Sequence, residues 1–419
     1  MAGTAQTRGD DNEALIDSGY AWIRLGVSML LATIGCVGMW SIVVVLPAVQ
    51  VEFGVDRADA SLPYTFLMFG FAAGNMFIGR LVDRMGIAVP MAIAAVALGA
   101  GFILAALCGD IWQFAVLHGF LIGTGTAATF GPLIADVSHW FEKRRGVAVA
   151  AAASGNYLAG AIWPNVMQVM MAAEGWRTTY LWIGVICVVT MVPLSLLLRR
   201  ASPHREVVIA SAGAVAPAVR SRTDLSPTAL QGLLIVAGVG CCVAMSMPQV
   251  HIVAYCVDLG FGLASGAEML SLMLMGGIVS RLASGFLADR IGGVRTLLIG
   301  SVLQGLSLLL YLPFDGLASL YMVSLVFGLA QGGIVPSYAI IVRESMPAHE
   351  AATRVGMVIF ASVFGMSLGG WISGVIFDHT GSYGAAFLNG LGWNALNITI
   401  AVTLLLRARS RIALAPQPT

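Results

Sequence analysis

The chain has 419 residues, 58% of them hydrophobic and only 10% charged, with a mean hydropathy of +0.88 and a net charge of +1. A water-soluble domain of this size carries about 25% charged residues, so lipid is the solvent this composition suits. The near-zero charge and a single lysine, Lys143, speak against a nucleic-acid surface. The six cysteines sit in or beside apolar runs without CxxC or His/Cys spacing, which argues for packing and against a disulfide framework or a metal site.

In chain order, residues 1–21 hold Asp10, Asp11, Glu13 and Asp17 and no apolar core, so they read as a cytoplasmic N-terminal segment and not as a cleavable signal. A helix needs about 20 apolar residues to cross about 30 Å of hydrocarbon. That ruler predicts spans at 22–48, 61–82, 88–108, 111–135, 147–171 and 178–198, forming a first bundle over 22–199. An arginine-bearing polar stretch, 200–228, reads as a cytoplasmic linker. Further spans follow at 229–257, 266–288, 296–313, 317–342, 355–377 and 384–406, a second bundle over 229–407 before a tail at 408–419. The expected fold is therefore an all-α membrane protein with twelve transmembrane helices in two pseudo-symmetric six-helix bundles. The 50 glycines suit close helix approach in lipid.

With both termini cytoplasmic, all but Arg57, Arg177 and Arg281 of the 22 Lys and Arg fall on the inner side. An internal repeat supports the even split. Gly79-Arg-Leu-Val-Asp83-Arg84-Met-Gly86 recurs as Gly285-Phe-Leu-Ala-Asp289-Arg290-Ile-Gly292, an offset of 206 (79 to 285). Gly175–Tyr180 and Gly381–Ala386 keep the same offset (175 to 381). Two parallel halves suit a rocking carrier with a central site.

Arg281 lies eight residues before Asp289, or about 12 Å along a helix, near the middle of the hydrocarbon. A central arginine costs about 2.5–3.5 kcal/mol to insert. Its planar fork matches a carboxylate, so the position reads either as an anion-binding cation or as a structural arginine held by carbonyls or a distant acid. As the only cation deep within a span, it favours a monoanion, because a second negative charge would stay uncompensated. His251, Tyr255 and Asp258 share one face of the seventh span, after Pro248. His251 reads as a proton carrier or substrate donor, or as a histidine bonded to a neighbouring helix. The chain reads as neither an enzyme nor a nucleotide-driven pump: GxxxxGK[ST] and HExxH do not occur, and no cofactor is implied.

The paired GxLxDRxG motifs resemble those of the major facilitator superfamily. His139-Trp-Phe-Glu-Lys-Arg-Arg-Gly-Val-Ala148 with Ser154, Gly155 and Gly160 is similar to a stretch shared by oxalate:formate antiporters and proton-linked monocarboxylate transporters. The resemblance implies carboxylate binding by Arg281 and a cavity drawn from spans 1, 4, 5, 7, 8, 10 and 11. Substrate-binding candidates are then Trp40, His118, Asn156, His251, Tyr255, Arg281, Gln331, Phe360, Ser362 and Phe364, each with packing as its other reading. It also implies a gating role for Asp83, Arg84, Asp289 and Arg290, with Asp136 paired to Arg80 or Arg84. This chain departs from the pattern at Ser362, where the oxalate carriers have lysine, and at Gly277, where the animal monocarboxylate carriers have aspartate. The expected function is alternating-access transport of a lactate- or pyruvate-like monocarboxylate with a proton, in a monomer in the cell inner or plasma membrane. Oxalate:formate-type exchange and drug:proton antiport are its rivals.

Overall fold

The computed structural model describes residues 15–200, 225–346 and 348–414. Most of the expected linker and the end of the tail lie outside these residues. The described residues are almost wholly helical: α1 (Gly19–Phe53), α2 (Arg57–Met85), α3 (Ala88–Ala106), α4 (Ile111–Ser138), α5 and α6 within Gly146–Leu196, α7 (Pro227–Asp258), α8 (Gly262–Ile291), α9 (Gly293–Leu310), α10 (Leu317–Ser345), α11 (Ala348–Thr380) and α12 (Tyr383–Leu414). The run Arg145–Leu196 has 52 residues, about 78 Å at 1.5 Å each, enough for two membrane crossings. It breaks at Gly175, whose φ of 78° suits a residue without Cβ. Eleven apolar helical runs among the described residues therefore supply the twelve crossings.

Local chemistry sets the ends. Ser18 caps α1 by accepting from Ala21 N, Asp110 caps α4 by accepting from the N–H groups of Trp112 and Gln113, and Ser226 caps α7 just before Pro227. Several long helices are interrupted. Cys36 splits α1 into Gly19–Gly35 and Val37–Phe53. A π-helical segment, His118–Gly123, lies within α4, and Gly332 and Gly333 separate the two parts of α10.

The residues form two compact units: 15–53 with 66–200, and 54–65 with those from 225 onward. The start of α2 thus belongs to the second unit, although the chain continues from it into the first. The 206-residue repeat persists at atomic detail. Glycines with positive φ recur at Gly54 and Gly260, at Gly86 and Gly292, and at Gly175 and Gly381. In the first unit a Cβ on Gly70 would strike the carbonyl of Gly119. In the second, a Cβ on Gly276 would lie 3.1 Å from the carbonyl of Leu325. Both partners stand at the same offset (70 to 276, 119 to 325), so α2 meets α4 as α8 meets α10, backbone against backbone.

Candidate functional site

The first unit brings some predicted residues together and separates others by what they bind. Trp40, buried on α1, donates its Nε1–H to the carbonyl and Oδ1 of Asn156 on α5, at 3.1 and 3.2 Å. His118 is fully buried with both ring nitrogens engaged, Nδ1 at 2.8 Å from the carbonyl of Phe114 and Nε2 at 3.2 Å from the Tyr180 hydroxyl. Phe114, Trp176 and Tyr180 pack around one another beside that imidazole. This is an enclosed environment, stabilised by ring contacts and burial.

Asp136 takes a partner other than the expected Arg80 or Arg84. Arg24 grips both its oxygens, Nε to Oδ2 at 2.8 Å and the second terminal nitrogen to Oδ1 at 2.9 Å. The remaining donors of Arg24 reach the carbonyls of Leu198 and Arg200, and its guanidinium lies 4.4 Å from the Trp140 ring. The reason is burial. Arg24 and Asp136 side chains are 2% and 9% exposed, whereas Arg80 and Arg84 lie exposed near the end of α2, where water already solvates them. Trp140 and Phe141 of the WF stretch are buried with Ala21, Leu25 and Ala148, so that motif anchors the start of α1 to the α4–α5 connection. Asp17 joins the same region, accepting from Lys143 N at 3.0 Å, and this hydrogen bond holds its carboxyl below its ordinary value. Asp83 and Arg84, like Asp289 and Arg290 in the second unit, are exposed.

In the second unit Arg281 is half-buried on α8, with its Nε buried. Its backbone is pinned: a Cβ on Gly332 would strike the carbonyl of Gly277 and sit 2.8 Å from Arg281 N. The break in α10 therefore lies directly against Arg281. Beside it on α10, Gln331 is 1% exposed and accepts at Oε1 from Gln249 Nε2 at 2.8 Å, while its own Nε2 is buried without a hydrogen-bond partner. In the repeat, Arg281 corresponds to Asn75 (75 to 281). The Asn75 amide is structural. Its Oδ1 accepts from Gly131 N at 3.1 Å, where α4 restarts, and its Nδ2 donates to Phe71 O at 2.8 Å.

His251 is fully buried, its Nε2 donating to Gly370 O at 2.7 Å and its Nδ1 lying 3.3 Å from the Tyr383 hydroxyl. Tyr255 is half-buried and packs edge-on to Tyr383 and Phe387. Ser362 is buried and donates within its own helix to Val358 O, while Phe360 and Phe364 lie exposed on α11.

Sequence reasoning missed two charge clusters at the helix ends opposite the GxLxDRxG motifs. In the first unit Arg177 donates Nε to Glu52 at 2.7 Å and its two terminal nitrogens to the carbonyls of Ala106 and Cys108; Trp176 also donates to Glu52. In the second unit one terminal nitrogen of Arg57 donates to both oxygens of Asp258 at 3.1 and 3.0 Å, and the other to the Tyr383 hydroxyl at 2.6 Å. Asp378 accepts from the backbone N–H of Arg57 at 2.9 Å and of Ala58 at 2.7 Å. A signal existed. Arg57 and Arg177 are the two arginines that charge bias leaves on the far side.

Two repeated units of long apolar helices describe a multi-pass membrane protein. The sequence profile of the Major Facilitator Superfamily matches residues 28–370 and 267–417, and the chain belongs to that superfamily of transporters. It is 25% identical over 327 residues to the MFS-type transporter pynF of Aspergillus niger, covering 76% of this chain and 72% of that one. It is 26% identical over 331 residues to monocarboxylate transporter 13 of Bos taurus, covering 78% and 75%. The fold is similar to a crystal structure of a bacterial homolog to the human lysosomal transporter Spinster in an inward-facing and unoccupied conformation. There the TM-score is 0.68, with 13% identity and 96% and 100% of the two chains covered.

Proposed function

We propose that the chain is a secondary transporter that moves a small monocarboxylate, lactate- or pyruvate-like, together with a proton by alternating access. Arg281 carries this reading. Its backbone on α8 is held against the α10 break by the Gly277–Gly332 contact, and its guanidinium fork matches one carboxylate. Gln331 adds a buried amide donor with hydrogen-bonding capacity to spare, oriented by Gln249. The likeness to monocarboxylate transporter 13 is consistent with it. By charge bias both termini face the cytoplasm, and the carrier works as a monomer.

The test is uptake of a panel of labelled mono- and dicarboxylates into proteoliposomes at two pH values. Arg281→Ala should abolish uptake and Arg281→Lys should retain a small fraction, since lysine keeps the charge and loses the fork. Preference for a dicarboxylate, or unchanged uptake in Arg281→Ala, would overturn the assignment. One observation favours exchange without a proton: Gly277 stands where the resembled proton-linked carriers have an aspartate, and its carbonyl is committed to the close contact with Gly332. Substrate-driven pH change in the vesicle lumen separates the two readings, because only symport moves protons.

A further inference from the structure

His118 in the first unit and His251 in the second are both fully buried, and each faces a tyrosine hydroxyl. A buried imidazole can gain a proton without penalty from orphaned groups only if every N–H and O–H around it has an acceptor in both states. That count separates the two.

At His251, Nε2 donates to Gly370 O, so Nδ1 is the acceptor and the Tyr383 hydroxyl donates to it. The Tyr383 oxygen in turn accepts from a terminal nitrogen of Arg57 at 2.6 Å. Tyr255 and Asp258 are further titratable groups of that cluster. A second ring proton would aim Nδ1–H at an oxygen already held by a cation and would displace that oxygen's own proton. At His118, Nδ1 donates to Phe114 O and Nε2 accepts from the Tyr180 hydroxyl. Tyr180 also meets Ser41 on α1, whose own hydroxyl donates to Gly38 O at 3.3 Å. A proton arriving at Nε2 is then donated to the Tyr180 oxygen, and the Tyr180 O–H turns to Ser41 Oγ. The Ser41 O–H stays on Gly38 O. One N–H bond forms and no donor is orphaned.

We propose that His118 binds the proton that the carrier moves, with Tyr180 and Ser41 as positioning residues that reorient around it. The inference rests on the symport reading above and gives its proton a place. The surroundings suit a cation: the imidazole lies 4.2 Å from Phe114 and 5.9 Å from Tyr180, centroid to centroid, and aromatic rings attract positive charge. The titratable and charged groups around it are Tyr180 and, beyond Trp176, the Glu52–Arg177 pair of α1 and α6. From α2 and α3 come Phe66, against Gly119, and Phe102, against Tyr180. The π-helical turn of α4 begins at His118 itself, and such turns occur frequently at functional sites. In the repeat the equivalent positions are Ser324 and Ala386 (118 to 324, 180 to 386), so the shared fold does not require the pair.

The first test needs no substrate. The full chain is labelled with nitrogen-15 in its histidine rings, and the side-chain NMR spectrum in detergent is read at about pH 8 and about pH 5, the range over which imidazole changes charge. His118→Gln and His251→Gln assign the two signals. The His118 ring should carry one N–H at the higher pH and two at the lower, and the His251 ring one at both. A His118 ring that stays neutral throughout, or a His251 ring that charges alongside it, would overturn the proposal. The second test measures luminal pH change per acid moved in proteoliposomes. His118→Gln should retain counterflow at equal pH and lower that ratio about tenfold or more, because an amide gains no proton. Tyr180→Phe keeps the imidazole, removes the acceptor of the charged ring and should lower the ratio less; it decides the matter if His118→Gln does not fold. An unchanged ratio in the folded variants would overturn the assignment. If the unaltered chain takes up none of the acids, the monocarboxylate reading fails and the NMR result stands.

Discussion

Equivalent positions in the two repeats carry different chemistry, an amide in the first and a guanidinium in the second. Asn75 in the first unit donates and accepts within its own unit, closing the restart of α4 at Gly131. Arg281 at the same place in the second unit replaces an amide by a cation and stands against a break in α10. A neutral amide with both ends bonded has no need of a ligand. A guanidinium keeps its charge wherever it is placed, and low dielectric makes an uncompensated charge expensive. The far-end clusters also differ: Glu52 pairs with Arg177, whereas Asp258 pairs with Arg57 and the position equivalent to Arg177 is Tyr383.

The largest expected effect tests how tight the shared packing register is. Gly70→Ala drives a Cβ into the carbonyl of Gly119 and should lower stability by about 1–3 kcal/mol, read as a fall in Tm and in monodisperse yield. Gly276→Ala, where the nearest backbone atom would lie 3.1 Å away, should cost clearly less. Equal losses would mean the two helix pairs are not packed differently. Next comes the polar pair. Asn75→Ala leaves the N–H of Gly131 unsatisfied and should cost about 1 kcal/mol or somewhat more while substrate uptake persists, the reverse of Arg281→Ala. Loss of uptake in a stable Asn75→Ala protein would break the contrast. The smallest effect belongs to Glu52→Gln. The side chains of Arg177 and Glu52 are 35% and 40% exposed, so the charge pair contributes less than about 1 kcal/mol after screening by water. Tm in low and high salt measures it.

Much of the fold was legible because its causes are local. Length of apolar run places the crossings, and motif offset gives the two halves. Broken helices were not legible. Nothing in the apolar run around Cys36 or His118 breaks the helical pattern of burial, so those interruptions follow from packing against neighbours. Among the candidate residues, Arg281 was singled out by its place in an apolar run. Trp40 and Asn156 were both candidates, but their hydrogen bond depends on α1 meeting α5. For Asp136 the expected type of partner was right and the particular arginine wrong, since sequence proximity and motif membership say nothing about which arginine is buried with it.

By itself the sequence determined the solvent, the crossings and the duplication, because composition, run length and motif offset are all properties of the chain in lipid before any helix meets another. Tertiary structure decided which acid meets which arginine, and that the start of α2 belongs to the second unit. Pairing energies depend on burial and on the number of donors satisfied, and those quantities exist only once distant helices have been brought together.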